Sequence, residues 1–343
     1  MSVCFVAAPL TARSGVYRSA RELVAAGREL GLDWKLVLGV SSEAAGAFPL
    51  DDPDWIDEFP FEPSGLGGIL GLRTRLRRHP LFDTASMVIS LIPQTDMALS
   101  TMRKPWIAFL RGQPWPEPDE IGAAKRRVWK SLEKVALRRA DEIWATTQVL
   151  SNYAGIPRIR IVPAGVRPVS RTWDGRGNRD RAVWAARYNQ DKNPTLFLET
   201  LNGMALDGVM HGSGPLTDEL RDAAPDNVRV AGWVPAAELW TDALAYLGTS
   251  HREAFGRSAL EAAMNGVPVV LADSFGVAPF LVTDTAFHSR FVLPTSDVGP
   301  WRAALEALRR DEGLRVAYSE HLVENAAKLT IAASAEAVAA QLR

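Results

Sequence analysis

Unbroken apolar runs alternate along this chain with stretches whose apolar positions recur every three or four residues. Val3 to Ala8, Trp34 to Val40, Met87 to Ile92 and Pro105 to Leu110 read as strands buried on both faces. After the first strand the chain turns at Pro9 to Gly15, and a helix with Arg18, Arg21 and Arg28 on its polar side runs to about Leu30. Residues 41–66, rich in Asp, Pro, Gly and Ser, read as irregular, with Trp55, Phe59 and Phe61 as local anchors. Arg73, Arg75, Arg77 and Arg78 form a basic cluster, and Pro93 to Met102 reads as a short helix or loop. Over 121–139 the spacing predicts an amphipathic helix, with Val128, Leu132, Val135 and Ala136 on the buried face and Arg127, Lys130, Lys134 and Arg138 opposite. Glu142 to Thr146 is the next strand.

Residues 167–180, with Pro168, Gly175, Gly177 and many charges, read as a linker. Beyond it the alternation restarts with a strand at Ala182 to Ala186. Gly208 to Leu220, with its Gly-x-Gly-Pro run, and then the segment Val228 to Pro235 follow. Leu239 to Leu247 reads as a helix leading into a short strand, Val267 to Leu271 as a buried strand, and 301–325 and Ile331 to Leu342 as helical. Repeated strand–helix alternation on both sides of a linker predicts an α/β protein of two domains. A length of 343 residues agrees, being long for one core.

Composition narrows the classes. Hydrophobic content of 47% and charged content of 23% are those of a globular protein. A formal net charge of −1 gives no global attraction to nucleic acid or an anionic membrane, although the local basic faces keep both open. The single cysteine, Cys4, rules out an intrachain disulfide and fits a reducing compartment; five scattered histidines predict no metal site. The N-terminus lacks the features of a signal peptide, and no stretch approaches the ~20 apolar residues that span a bilayer. The expected location is cytoplasmic, with peripheral membrane contact through the basic helix faces as a further option. No G-x-G-x-x-G follows the first strand, which argues against a nicotinamide dehydrogenase.

The richest chemistry lies in Ser250 to Asp273. Glu253 and Glu261 bracket Gly256 and the start of a helix that Gly266 stops. That layout leaves free backbone N–H groups at Phe255, Gly256, Arg257 and Ser258, where the helix dipole favours an anion. Gly256 has no side chain to keep a phosphate away. Read alone, this is also what an ordinary helix with a solvated glutamate at each end looks like.

The whole string closely resembles the E-x7-E segment of retaining glycosyltransferases of family 4, in the order Ser, Glu, Phe-Gly, Leu-Glu-Ala and Gly-x-Pro-Val-Val. Arg187, at a strand end, and Lys192, five positions on, are similar to the family's G-R-x-x-x-x-K signature, with Ala186 where glycine is usual. The resemblance is strong over about 180–285, moderate over 1–40 and 140–166, and faint elsewhere. It implies the GT-B fold, in which two Rossmann-like domains face each other across a cleft. The domains would be 1–166 on the acceptor side and 181–326 on the donor side, joined by 167–180, with a C-terminal helix in 327–343 packing back on the first.

The resemblance also implies roles. Arg187 and Lys192 would clamp the donor diphosphate, Glu253 would meet the sugar, and Glu261 would hold the ribose hydroxyls. Gly212 and Gly214 would allow the nucleotide close to the backbone, and Trp233 or Val234 would meet the nucleobase edge. Ser14 and Gly15 would lie near the diphosphate and acceptor, Gly276 near the sugar, and Gln113 and Trp115 along the acceptor cleft. Arg111 stands where many relatives carry a histidine beside the reacting carbon, so a donor or acceptor of negative charge is one implication and a plain surface arginine another. The implied reaction is sugar transfer from a nucleotide-diphospho donor, UDP- or GDP-linked, with retention, no metal and no cofactor. Acceptors of every class stay open: lipid, glycan, small molecule, protein or modified nucleic-acid base. Alternatives are another GT-B activity, such as a nucleotide-sugar epimerase or an inverting transferase, and a binding protein without turnover.

Overall fold

A computed structural model of the chain describes residues 1–13, 15–45, 52–62, 65–112, 122–235 and 238–343. Met1–Arg167 together with Ile331–Arg343 form one compact unit, and Pro168–Thr330 a second.

In the first unit seven strands form one parallel sheet. They are β1 (Val3–Ala12), β2 (Trp34–Ala45), β3 (Ile56–Pro60), β4 (Met87–Ser90), β5 (Trp106–Leu110), β6 (Glu142–Ala145) and β7 (Arg160–Ile161), in the order β3-β2-β1-β4-β5-β6-β7. Alternation along β1 divides its side chains between two cores. Val3, Phe5 and Ala7 point into one, beneath α1 (Val16–Glu29) and the C-terminal helix Ile331–Gln341. Cys4, Val6 and Ala8 point into the other, beneath α2 (Gly65–Leu76), α4 (Pro93–Leu99) and α5 (Ala123–Leu137); the one-turn α3 (Pro80–Asp83) precedes β4. The C-terminal helix is held by Ile331 N–H donating to the Val166 carbonyl (2.8 Å) and by Ser334 Oγ donating to that of Pro163 (2.9 Å).

The second unit has a six-stranded parallel sheet. Its strands are β8 (Arg181–Ala185), β9 (Asp207–His211), β10 (Val228–Val230), β11 (Ala243–Gly248), β12 (Val269–Ala272) and β13 (Val292–Leu293), in the order β10-β9-β8-β11-β12-β13. Strand order reverses between β8 and β11, which makes the pair a topological switch point.

Four expectations need correction. Residues 41–66 are not irregular throughout: β2 runs on to Ala45 and β3 occupies Ile56–Pro60. As an edge strand buried chiefly through Ile56 and Phe59, β3 carries too little apolar pattern to stand out among Asp and Pro. The helix expected over Leu239 to Leu247 is a strand from Ala243 to Gly248, buried at all six positions; a short continuous apolar run fits either element, and here burial on both faces decides.

Residues 171–180 do not form an open linker. Buried Arg315 donates to the carbonyls of Gly175 (2.7 Å), Gly177 (2.9 Å) and Leu308 (2.7 Å). Trp173 packs beneath Arg179, with the guanidinium 4.3 Å from its ring. Helix α5 is turned by about one residue from the expected face. Trp129, Glu133, Ala136 and Leu137 pack inward, while Val128, Leu132 and Val135 are 59%, 37% and 49% exposed. Trp129 supplies the bulk that fixes this rotation.

Candidate functional site

The chain leaves neighbouring strands β8 and β11 at the same edge of the sheet, and their loops are tied together. Trp184 Nε1 donates to Thr249 Oγ1 (2.8 Å), whose hydroxyl donates to the Asn193 carbonyl (2.8 Å). His251 N–H donates to the Asp191 carbonyl (2.9 Å). A 3-10 turn over Gln190–Lys192 is thereby held against the segment that follows β11. The result brings Lys192 Nζ to 2.6 Å from Glu253 Oε2, although 61 residues separate them. Arg252 stands 3.6 Å from Asp191 beside this pair.

Glu253 is fixed through its backbone. Its carbonyl accepts from Gly276 N–H (3.1 Å), the Phe255 carbonyl accepts from Val277 N–H (2.7 Å), and Glu253 and Phe275 form an isolated parallel bridge. The next helix, α9 in chain order (Arg257–Met264), follows the helices Gln148–Ala154, Pro194–Leu201 and Thr217–Ala223. Gly256 is its N-cap, at φ 105°. A Cβ there would stand 2.7 Å from the Phe275 ring, so both backbone and packing demand glycine. Gly256 supplies no side-chain cap to this helix, whose N-terminus follows the loop that leaves β11 at the switch point.

Glu261 lies one turn into α9 and 3.7 Å from Arg257. Beneath it, burial pushes the Tyr246 phenol far up, the Glu253 and Glu261 carboxylates add to that, and a hydrogen bond with Ser258 opposes it. Tyr246 was not singled out from sequence, because within an apolar strand it looks like core. Its phenol feels the charge of both glutamates.

Gly212 and Gly214 pack against the Arg187 loop. A Cβ on Gly212 would stand 1.9 Å from the Ala186 carbonyl oxygen, and one on Gly214 2.4 Å from that of Tyr188. Ala186 N–H donates to the His211 carbonyl (3.1 Å) and Tyr188 N–H to that of Ser213 (3.0 Å). The glycines therefore let two loops meet, which holds Arg187 exposed at the sheet edge. Gly212 N–H donates to the Gly232 carbonyl (3.0 Å), which brings the Trp233 segment alongside. Trp233 is 77% exposed, and Val234 lines a recess of about 270 Å³ with His211, Arg181, Arg229 and Glu238. His211 is a further residue the sequence did not flag: burial lowers its imidazole pKa, and its buried Nδ1 has no hydrogen-bond partner among the described residues.

In the first unit, Gly15 is the N-cap of α1 at φ 54°. Arg111 follows β5 and is only 7% exposed, with its guanidinium 4.9 Å from the Phe109 ring, so it is not a surface arginine. A Cβ on Gly112 would lie 3.6 Å from the Val16 side chain, which places the Arg111–Gly112 turn beside the start of α1 and near Gly15. Ser14, Gln113 and Trp115 lie outside the described residues.

Residues 175–329 match the family described as "Glycosyl transferases group 1". A search of curated proteins finds no match. Among solved structures, sucrose-phosphate synthase from Thermosynechococcus elongatus aligns with a TM-score of 0.78 at 14% identity, over 100% of this chain and 99% of that one. Anabaena HepE in complex with UDP-glucose aligns at 0.74 and 15% identity, covering 100% and 99%. WaaG, a glycosyltransferase involved in lipopolysaccharide biosynthesis, aligns at 0.73 and 15% identity, covering 98% of each chain. At such identities these likenesses establish the fold, which is GT-B across the whole chain. The family match takes in the loops that carry Arg187, Lys192, Glu253 and Glu261, and covers less than half of the chain.

Proposed function

We propose that the second unit binds a uridine-diphospho sugar and that the enzyme transfers the sugar with retention and without a metal. The observation that carries this reading is the Lys192–Glu253 pair at the β8/β11 switch point, beside the uncapped N-terminus of α9. In this reading the diphosphate lies across the α9 N–H groups, with Arg187 and Lys192 stabilising the charge that grows as the glycosidic bond breaks. Arg supplies a fork of donors and Lys a point charge, both suited to phosphate oxygens. Glu253 meets the sugar, Glu261 the ribose hydroxyls, and the backbone at Trp233–Val234 the base edge. The UDP assignment draws on HepE, whose structures hold UDP and UDP-glucose. Gly15 and Arg111 serve the acceptor side.

Incubating the protein with UDP- and GDP-sugars and following nucleotide release tests the donor. Release from no UDP-sugar would overturn the donor assignment, and an inverted anomeric centre in the product would overturn retention. A rate lost on adding EDTA would overturn the metal-free reading.

We further propose peripheral contact with an anionic membrane through α5. Support comes from Val128, Leu132 and Val135, exposed as one stripe on a helix that also carries Lys125, Arg126, Arg127, Lys130 and Lys134. Among the described residues no helix is long and apolar enough to cross a membrane.

A further inference from the structure

The first unit carries a second cationic feature, at the opposite edge of its sheet from Arg111. Helix α2 ends just before α3 and β4, and the segment after α4 carries Arg103 and Lys104 into the start of β5. Here Arg73, Arg77, Arg103 and Lys104 line a recess of about 620 Å³ with Phe82 and the single carboxylate Asp83. Lys104 precedes β5 and Arg111 follows it, so the five-residue strand sets the two edges roughly 17 Å apart. The recess is therefore separate from the Gly15–Arg111 turn.

Several features mark it as a place for an anion. Lys104 Nζ is anchored by donating to the carbonyls of Phe82 (2.5 Å) and Asp83 (2.7 Å), and it lies 4.9 Å from the Phe82 ring. Its charge is partly stripped of water, and burial lowers its pKa. The buried Nε of Arg73 has no hydrogen-bond partner among the described residues. Four cations against one carboxylate leave an excess positive charge that one multiply charged ligand would neutralise. Guanidinium groups match the oxygens of phosphate in shape as well as charge. The volume falls within the range of small-molecule sites and exceeds what one phosphate needs.

The neighbouring surface adds a second requirement. Leu66, Leu70 and Arg73 follow the spacing i, i+4, i+7 and share one stripe of α2, which Arg77, in the turn just past its end, continues with its N–H donating to the Arg73 carbonyl. Both leucines are exposed, so the stripe passes from apolar to cationic as it enters the recess. We propose that this recess is a binding site for a phosphate-bearing ligand other than the sugar donor, with the phosphate held by Arg73, Arg77, Arg103 and Lys104. The apolar end of the stripe would accommodate an attached hydrophobic group. The phosphate can come from a free phosphate ester or from a lipid headgroup.

Titration calorimetry of the whole protein with inorganic pyrophosphate tests this. Wild-type protein should show two classes of site. Arg187→Glu should remove the class in the second unit, and Arg77→Glu/Arg103→Glu should weaken the other by on the order of tenfold or more, while leaving melting and donor turnover unchanged. If the charge reversal perturbs folding, Arg77→Gln/Arg103→Gln serves in its place. Phosphatidylcholine vesicles doped with phosphatidic acid distinguish the sources. Binding that also falls with Leu66→Ser/Leu70→Ser assigns a lipid phosphate, whereas pyrophosphate binding without vesicle binding assigns a free one. The proposal is overturned if the Arg77/Arg103 variants bind both probes as tightly as wild type, or if wild type binds neither outside the class that Arg187→Glu removes.

Discussion

Lys192 and Glu253 form a 2.6 Å ion pair across 61 residues, at the edge where β8 and β11 end side by side. Each side chain neutralises the other. If both act on one reacting centre, Lys192→Ala and Glu253→Gln should each lower kcat by about 10²–10³-fold, the scale of removing one stabilising donor from a transition state. The double variant should be little worse than the poorer single one, because groups acting as a unit are not additive. Initial rates on the preferred UDP-sugar check this, and fully additive losses would separate the two residues.

Gly256 is constrained twice, by φ 105° and by the Phe275 ring that a Cβ would meet at 2.7 Å. Gly256→Ala should cost about 1–3 kcal/mol through backbone strain, with the steric conflict added. Thermal denaturation should show the loss, and calorimetry with UDP should show weaker binding, since the strained residue sets the first N–H groups of α9. Phe275→Leu in the same chain should restore part of the stability by relieving contact with the ring. No recovery would mean that backbone strain alone accounts for the loss.

The second unit's loops were legible in the sequence because each cluster is short, contiguous and next to a strand end. Lys192, after β8, and Glu253, after β11, needed only the side-by-side parallel order of those strands to meet. What the sequence hid depends on contacts distant along the chain. Residues 171–180 have a linker's composition, yet Arg315, some 140 positions on, binds their carbonyls. Tyr246 looks like core until the two glutamates are placed near it. The resemblance implies room for a nucleotide at Gly212 and Gly214, and their missing side chains make room for the backbone of Ala186 and Tyr188.

His211 predicts a pH dependence. Burial is the largest cause of its lowered pKa, with Arg229 and Arg181 acting in the same direction, and the Gly232 backbone and Glu238 opposing. A histidine held neutral contributes stability that is fully present above its unfolded value of about 6.5. That contribution falls as pH drops through the unfolded pKa towards the folded one, because the unfolded chain binds the proton more readily. Urea denaturation midpoints should therefore separate wild type from His211→Gln progressively less as pH is lowered from 7.5 towards 5. A difference constant across that window would show that the imidazole titrates alike in both states.

The rotation of α5 gives two expectations that pull in opposite directions for neighbouring residues. Leu137 is buried, so Leu137→Ala should cost about 2–5 kcal/mol. Val128, Leu132 and Val135 are exposed, so replacing all three with Ser should cost no more than about 0.5 kcal/mol per site. Had the stripe been core, the triple substitution would be the more damaging. The same variant reads out the membrane proposal: with the lysines and arginines intact, its binding to phosphatidylserine vesicles should fall by at least about tenfold, since even partial burial of three apolar side chains exceeds the 1.4 kcal/mol a factor of ten requires. Binding by wild type should also weaken with salt, because the cations of α5 contribute about 1 kcal/mol each near an anionic surface. A stable triple variant that still binds vesicles as wild type does would remove α5 as the contact.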